Sequence, residues 1–112
     1  RLSAMSMTSA RIVVPKTAKR GEVVEIKTLI KHPMETGYRR DHRGQVIPRH
    51  IIQRFVATYN GEEVFSADLT QGVAANPYFA FPLRVEESGE ITFTWTDDRG
   101  STHTEKAEIT VA

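Results

Sequence analysis

The sequence holds 112 residues, 39% of them hydrophobic, with 15 Lys and Arg against 14 Asp and Glu for a formal net charge of +1. That length is one domain's worth of chain with side chains enough for a single core, and the charge lacks the cationic excess a general nucleic-acid binder needs. No apolar run approaches the ~18 residues of a membrane span, and with no cysteine the chain offers no thiol nucleophile, disulfide or Cys-zinc site.

Residues 1–9 are small and polar and are expected to lie outside the domain as an unfolded or foreign tail, leaving 10–112 as one domain. They lack the apolar core of a signal peptide, so export would need a removed leader or a partner that carries one. Arg11-Ile-Val-Val14 reads as a first strand ended by Pro15. Glu22 to Lys31 alternates, with Val24, Ile26, Thr28 and Ile30 on one face and Val23, Glu25, Lys27 and Leu29 on the other. A long polar loop follows from His32 to Arg49. Strand character returns from His50 to Tyr59, and Asn60-Gly61 supplies the two left-handed residues that a two-residue hairpin loop demands.

Glu62 to Leu69 is the return arm, and Thr70 to Pro77 a loop of small residues. Phe79, Phe81, Leu83 and Val85 alternate, and Pro82 among them points to an edge or bulged position. Glu90 to Thr96 turns Ile91, Phe93 and Trp95 inward, Asp98-Arg99-Gly100 is a three-residue hairpin loop, and the last strand carries Ala107, Ile109 and Val111 inward. About seven antiparallel strands and no helix predict an all-β, immunoglobulin-like sandwich of two sheets with Trp95 as the central plug.

Two features do not suit an isolated sandwich. Val23 and Leu29 fall on the outer side of one strand, and Ile52 and Val56 oppose Phe55 and Ala57 on another. If those strands are neighbours, the four aliphatics make one exposed strip; at about 25 cal/mol per Å², covering it with a partner is worth several kcal/mol before association costs. The second feature is the 32–50 loop, where Arg39, Arg40, Arg43 and Arg49 stand against Asp41. Guanidinium groups so clustered suit a small oxyanion or an acidic surface. This defines a rival expectation, a stand-alone immunoglobulin-like module that binds anions or a protein ligand through residues 38–50.

Catalytic constellations are lacking. His32, His42, His50 and His103, even with Glu35, have no chelating spacing on one element. Ser66, Ser88 and Ser101 sit in strand or turn contexts and not on a strained elbow. Asp97-Asp98 and Glu86-Glu87 are adjacent carboxylates, but adjacent strand residues point to opposite faces. No enzyme activity, metal or cofactor is therefore expected.

Three stretches carry more than pattern: Leu29-Ile-Lys-His-Pro-Met-Glu-Thr-Gly37; Phe65-Ser-Ala-Asp-Leu69 continued by Ala75-Asn-Pro-Tyr-Phe79; and Glu87-Ser-Gly-Glu-Ile-Thr-Phe-Thr-Trp-Thr-Asp-Asp-Arg-Gly100. In this order and spacing the chain resembles the SoxZ family from about Arg11 to Val111. The resemblance implies a periplasmic, non-catalytic subunit of thiosulfate (sulfur) oxidation, in a SoxYZ heterodimer whose SoxY-like subunit carries covalent sulfur intermediates on a C-terminal cysteine arm. Other sulfur-oxidation enzymes would visit transiently, with no nucleic acid and no membrane involved. The expected partner contacts are Val23, Leu29, Ile52 and Val56 of the strip, His32, Pro33, Met34 and Glu35 of the first motif, and Asn76 and Pro77 of the second.

Overall fold

Alternation of apolar and polar residues governs the chain almost throughout, and the computed structural model resolves it into strands alone; it describes residues 9–70, 72, 73 and 75–112. Of the tail expected over 1–9, residues 1–8 lie outside the described residues, while the Ser9 carbonyl accepts a hydrogen bond from Lys31 N–H at 2.9 Å. The strands are β1 (Ala10–Val13), β2 (Thr17–Ala18), β3 (Val23–Ile30), β4 (Ile52–Tyr59), β5 (Glu62–Asp68), β6 (Tyr78–Arg84), β7 (Gly89–Asp97) and β8 (Thr102–Val111). They form a three-stranded sheet in the order β1-β3-β6 and a five-stranded sheet in the order β2-β8-β7-β4-β5. The protein is an all-β, immunoglobulin-like sandwich.

The count is one strand more than alternation predicts. β2 has two residues, too few to show a period, and pairs parallel to Thr110 and Val111 of β8. It marks the place where the chain, having left β1 of the small sheet at Pro15, crosses to the large one. The remaining pairings are antiparallel. Asn60 and Gly61 both adopt positive φ, 51° and 84°, so the β4–β5 loop closes in two residues. Pro82 sits on β6, an edge strand, where its missing N–H costs no ladder bond.

Between the sheets lie Trp95, Phe55 and Phe93 of the large sheet, each fully buried, against Ile26 and Ile30 of the small one. Two stacked aromatic pairs bridge the sheets: Phe55 on Phe79 at 4.9 Å and Phe65 on Phe81 at 4.6 Å between ring centroids. Each fully buried ring of this kind is worth about 1.5–3 kcal/mol by transfer, and the pairing geometry adds to it.

One departure from plain alternation matters below. On β4 the register steps from Ile52↔Asp97 to Arg54↔Thr96, so Gln53 is an extra residue, a β-bulge. The bulge resets the parity of the strand. Ile52 therefore faces inward with Phe55, fully buried, instead of outward with Val56.

Candidate partner-binding site

Past the end of β3 at Ile30, Pro33 offers no N–H to a ladder and holds His32 extended. His32 uses that extended stretch to clasp the loop before β6. Its N–H donates to Asn76 Oδ1 at 2.8 Å, and the Asn76 N–H donates back to the His32 carbonyl at 2.7 Å. Asn76 takes a left-handed backbone, φ 54°, which its side chain tolerates better than most. Met34 is left-handed too, at 52°, a conformation that costs an ordinary residue about 1–2 kcal/mol. Two bonds hold it there. Its N–H donates to His32 Nδ1 at 3.0 Å, and its sulfur accepts the Ile52 N–H at 3.3 Å.

The His32 ring is 3% exposed and stands edge-on to His50, with centroids 4.5 Å apart. Because Nδ1 accepts from Met34, the proton of the neutral ring belongs on Nε2, which has no partner among the described residues. Burial, and then the neighbouring His50, push the His32 pKa below the ordinary histidine value; Asp97 and Asp98 pull the other way, and Arg99 adds to the lowering. His50 joins the corner through a backbone exchange with Glu35, at 2.9 and 2.8 Å, and through Nε2 to Asp97 Oδ2 at 2.8 Å. Burial would raise the Asp97 carboxyl, but hydrogen bonds from His50 and from the Ser101 and Arg99 N–H groups outweigh it and hold the pKa below normal.

The expectation that Asp97 and Asp98 diverge is corrected here. Asp97 ends β7 and Asp98 opens the hairpin loop, so strand parity no longer separates them, and ligand atoms of both lie with one of His50 within 4.8 Å of one another. Those atoms are already engaged: Asp98 Oδ2 meets Arg49 Nε at 3.1 Å and its Oδ1 accepts the Ile51 N–H at 3.2 Å. The trio could hold a cation only by surrendering these bonds, and as it stands it straps the 32–50 segment to the β7–β8 hairpin.

That segment is accordingly no free loop. Beyond the Glu35–His50 bridge it pairs again at Arg40↔Val46 and turns over Asp41, whose Oδ1 accepts the N–H of Arg43 and Gln45. Gly37, at φ 93°, permits the close return of the strap; a Cβ there would sit 3.3 Å from that of Arg49. The four arginines do not converge on one anion. Arg39 pairs with Glu35 and holds its carboxyl below the usual range, Arg40 donates to the Gly44 carbonyl at 2.7 Å, and Arg49 is tied to Asp98. Arg40 and Arg43 make no ion pair among the described residues.

The expected apolar strip is also corrected. β3 and β4 belong to different sheets, so Val23 and Leu29 lie on one side of the sandwich and Val56 on the opposite side, with Ile52 in the core between. His32, Met34 and Pro77 are buried and hold the corner from within; Pro33 and Asn76 are exposed, and Glu35 is half-buried. Around Val56 the neighbours across the ladder are Ser66 and Thr94, with Thr92, Thr96 and Thr104 nearby. The outer face of the large sheet is thus polar.

The outer face of the small sheet is not. Leu29 lies between Arg11 and Tyr78, and Lys27 between Val13 and Ala80; Glu25 pairs with Pro82, and Val23 with Arg84. Val13, Val23 and Tyr78 are each more than half exposed. A groove of about 310 Å³ opens between Val13, Leu29 and Tyr78, flanked by Arg11 and Lys27. Sequence reasoning found two residues of this face and missed Val13 and Tyr78. Their signal, an apolar residue at the outward parity of an edge strand, becomes visible only once the three strands are known to adjoin.

A family model described as sulphur oxidation protein SoxZ matches residues 11–108. Among solved structures, superoxide reductase (neelaredoxin) from Ignicoccus hospitalis is similar with a TM-score of 0.73 at 16% identity, covering 99% of this chain and 86% of that one. The sulfur carrier protein SoxY from Chlorobium limicola f thiosulfatophilum is similar with a TM-score of 0.67 at 16% identity over 94% of this chain and 80% of that one. A putative superoxide reductase from Thermotoga maritima gives 0.65 at 16% over 92% and 85%. At such identities these likenesses speak for the fold alone. No curated protein matches the chain in sequence.

Proposed function

The chain belongs to the SoxZ family of sulphur oxidation proteins, and from that premise we propose that it is the non-catalytic half of a sulfur-carrier heterodimer. It anchors a SoxY-type subunit whose C-terminal cysteine arm carries the covalent intermediates of thiosulfate oxidation in the periplasm, while other enzymes of the system visit that arm. The single observation that carries the reading is the apolar outer face of the three-stranded sheet, Val13, Val23, Leu29 and Tyr78, on a molecule whose other broad face is threonine-rich.

Two further observations fit. This chain has no cysteine to bear sulfur, and at the 32–50 strap His50 and Asp97 are spent on each other and Asp98 on Arg49 and the Ile51 N–H. A swinging arm raises the local concentration of its cargo at each enzyme only if its base is anchored to a rigid body; a sandwich with a doubly strapped corner is such a body. The test is co-expression with a SoxY-type subunit of the same organism, co-purification and intact mass. A one-to-one complex, with sulfur adducts on the partner's cysteine and none on this chain, is the expected result. A chain that elutes alone and loads or turns over thiosulfate unaided overturns the reading.

A further inference from the structure

The apolar face carries its own statement about what can cover it. Lys27 stands between Val13 and Ala80 across the ladder, with Arg11 in the next row beside Leu29 and Arg84 two rows away beside Val23, where it donates to the Gly21 carbonyl at 2.8 Å. Against these three cations the outward residues of the three strands offer one carboxylate, Glu25, and none of the three cations makes an ion pair among the described residues. An ammonium buried under a partner without a counter-charge loses its hydration and gains nothing in return. A second copy of this chain is a poor cover. Two-fold packing would set one such face on another, and a single Glu25 from each cannot neutralise three cations from each.

We infer that the outer face of the β1-β3-β6 sheet receives a different chain, through an apolar side chain seated in the groove between Val13, Leu29 and Tyr78 and a carboxylate set against Lys27. This deepens the heterodimer reading and rests on it. The basic rim steers the acid-flanked surface of the partner into register, and the same charges keep copies of this chain apart.

The experiment is calorimetric titration of the SoxY-type subunit with the wild-type chain, Lys27→Met and Lys27→Glu, beside sedimentation of the chain alone at the same salt. Lys27 is exposed on its own fold, so unfolding temperatures of the variants should match the wild type. The expected result is affinity at least about thirtyfold weaker for both variants, because each leaves the partner's carboxylate without its cation, with the chain alone monomeric. Lys27→Met binding as tightly as wild type, or more tightly, overturns this inference and leaves the heterodimer reading standing. A self-dimer abolished by Lys27→Glu also overturns it, naming a second copy as the occupant. Failure of the wild-type chain to bind the subunit at all overturns the heterodimer reading, and this inference with it.

Discussion

His32 and His50 meet edge to face, 4.5 Å between ring centroids, and Asp97 closes the pocket from the β7 side with its carboxylate 2.8 Å from His50 Nε2. Three segments remote in sequence are tied by this contact, and its electrostatics set how the corner answers to acid.

The His32 pKa is lowered in the folded chain, by burial first and by His50 second. Between the unfolded value near 6.5 and that lowered value, the unfolded chain binds the extra proton and the folded one does not, so stability falls as pH falls through this window. The Asp97 pKa is lowered as well, and its contribution is lost at still lower pH, as the pH drops from 3.8 through the folded value. Urea midpoints should therefore decline from pH 7.5 to 5, with a slope no steeper than about 1.4 kcal/mol per pH unit for one group. His32→Gln should flatten that decline, and an unchanged slope in the variant would assign the effect elsewhere.

Asn76 contributes both a side-chain acceptor and a tolerated left-handed backbone. Asn76→Gly keeps the backbone and removes the acceptor for the His32 N–H, which should cost about 1–2 kcal/mol. Asn76→Ala loses both and should cost about 1 kcal/mol more. Equal stability of the two variants, read from chemical denaturation, would show that the backbone conformation carries no strain.

Leu29 and Val56 lie on opposite outer faces of the sandwich. Leu29→Asp should weaken binding of the SoxY-type subunit at least about tenfold, while Val56→Asp, among serine and threonine neighbours, should leave it near wild type. The reverse ranking would move the seam to the large sheet. Ile52→Asp, at a fully buried position, should prevent folding altogether.

With Arg39, Arg40 and Arg49 committed to Glu35, the Gly44 carbonyl and Asp98, residues 38–50 should bind sulfate or thiosulfate no tighter than about 1 mM. Saturable micromolar binding in a salt-controlled titration, lost in Arg43→Ala or Arg49→Ala, would restore the rival anion-binding module.

Trp95 is fully buried against Phe55 at 5.1 Å, yet its indole N–H has no partner among the described residues. Trp95→Ala should cost about 3–5 kcal/mol in cavity and lost transfer energy. Trp95→Phe should cost markedly less than that, because both variants remove the stranded donor but the phenyl ring leaves a much smaller cavity. A Phe variant as unstable as the Ala one would mean that refilling the cavity contributes nothing at this position.

The sequence by itself determined the sandwich, its hairpins and most of its core, because strand alternation and turn chemistry are local: Ile91, Phe93 and Trp95, or Asn60-Gly61, need no distant residue to be read. It also pointed to His32-Pro-Met-Glu and Asn76-Pro77 as special, without showing that one clasps the other. Only the tertiary structure decided that β3 and β4 part into different sheets, that a bulge at Gln53 turns Ile52 inward, and that Val13 and Tyr78 join Leu29 around Lys27 on one exposed face. Which strands adjoin depends on contacts between residues far apart in the chain, and a single inserted residue reverses the side to which every residue beyond it points. No local pattern holds that information.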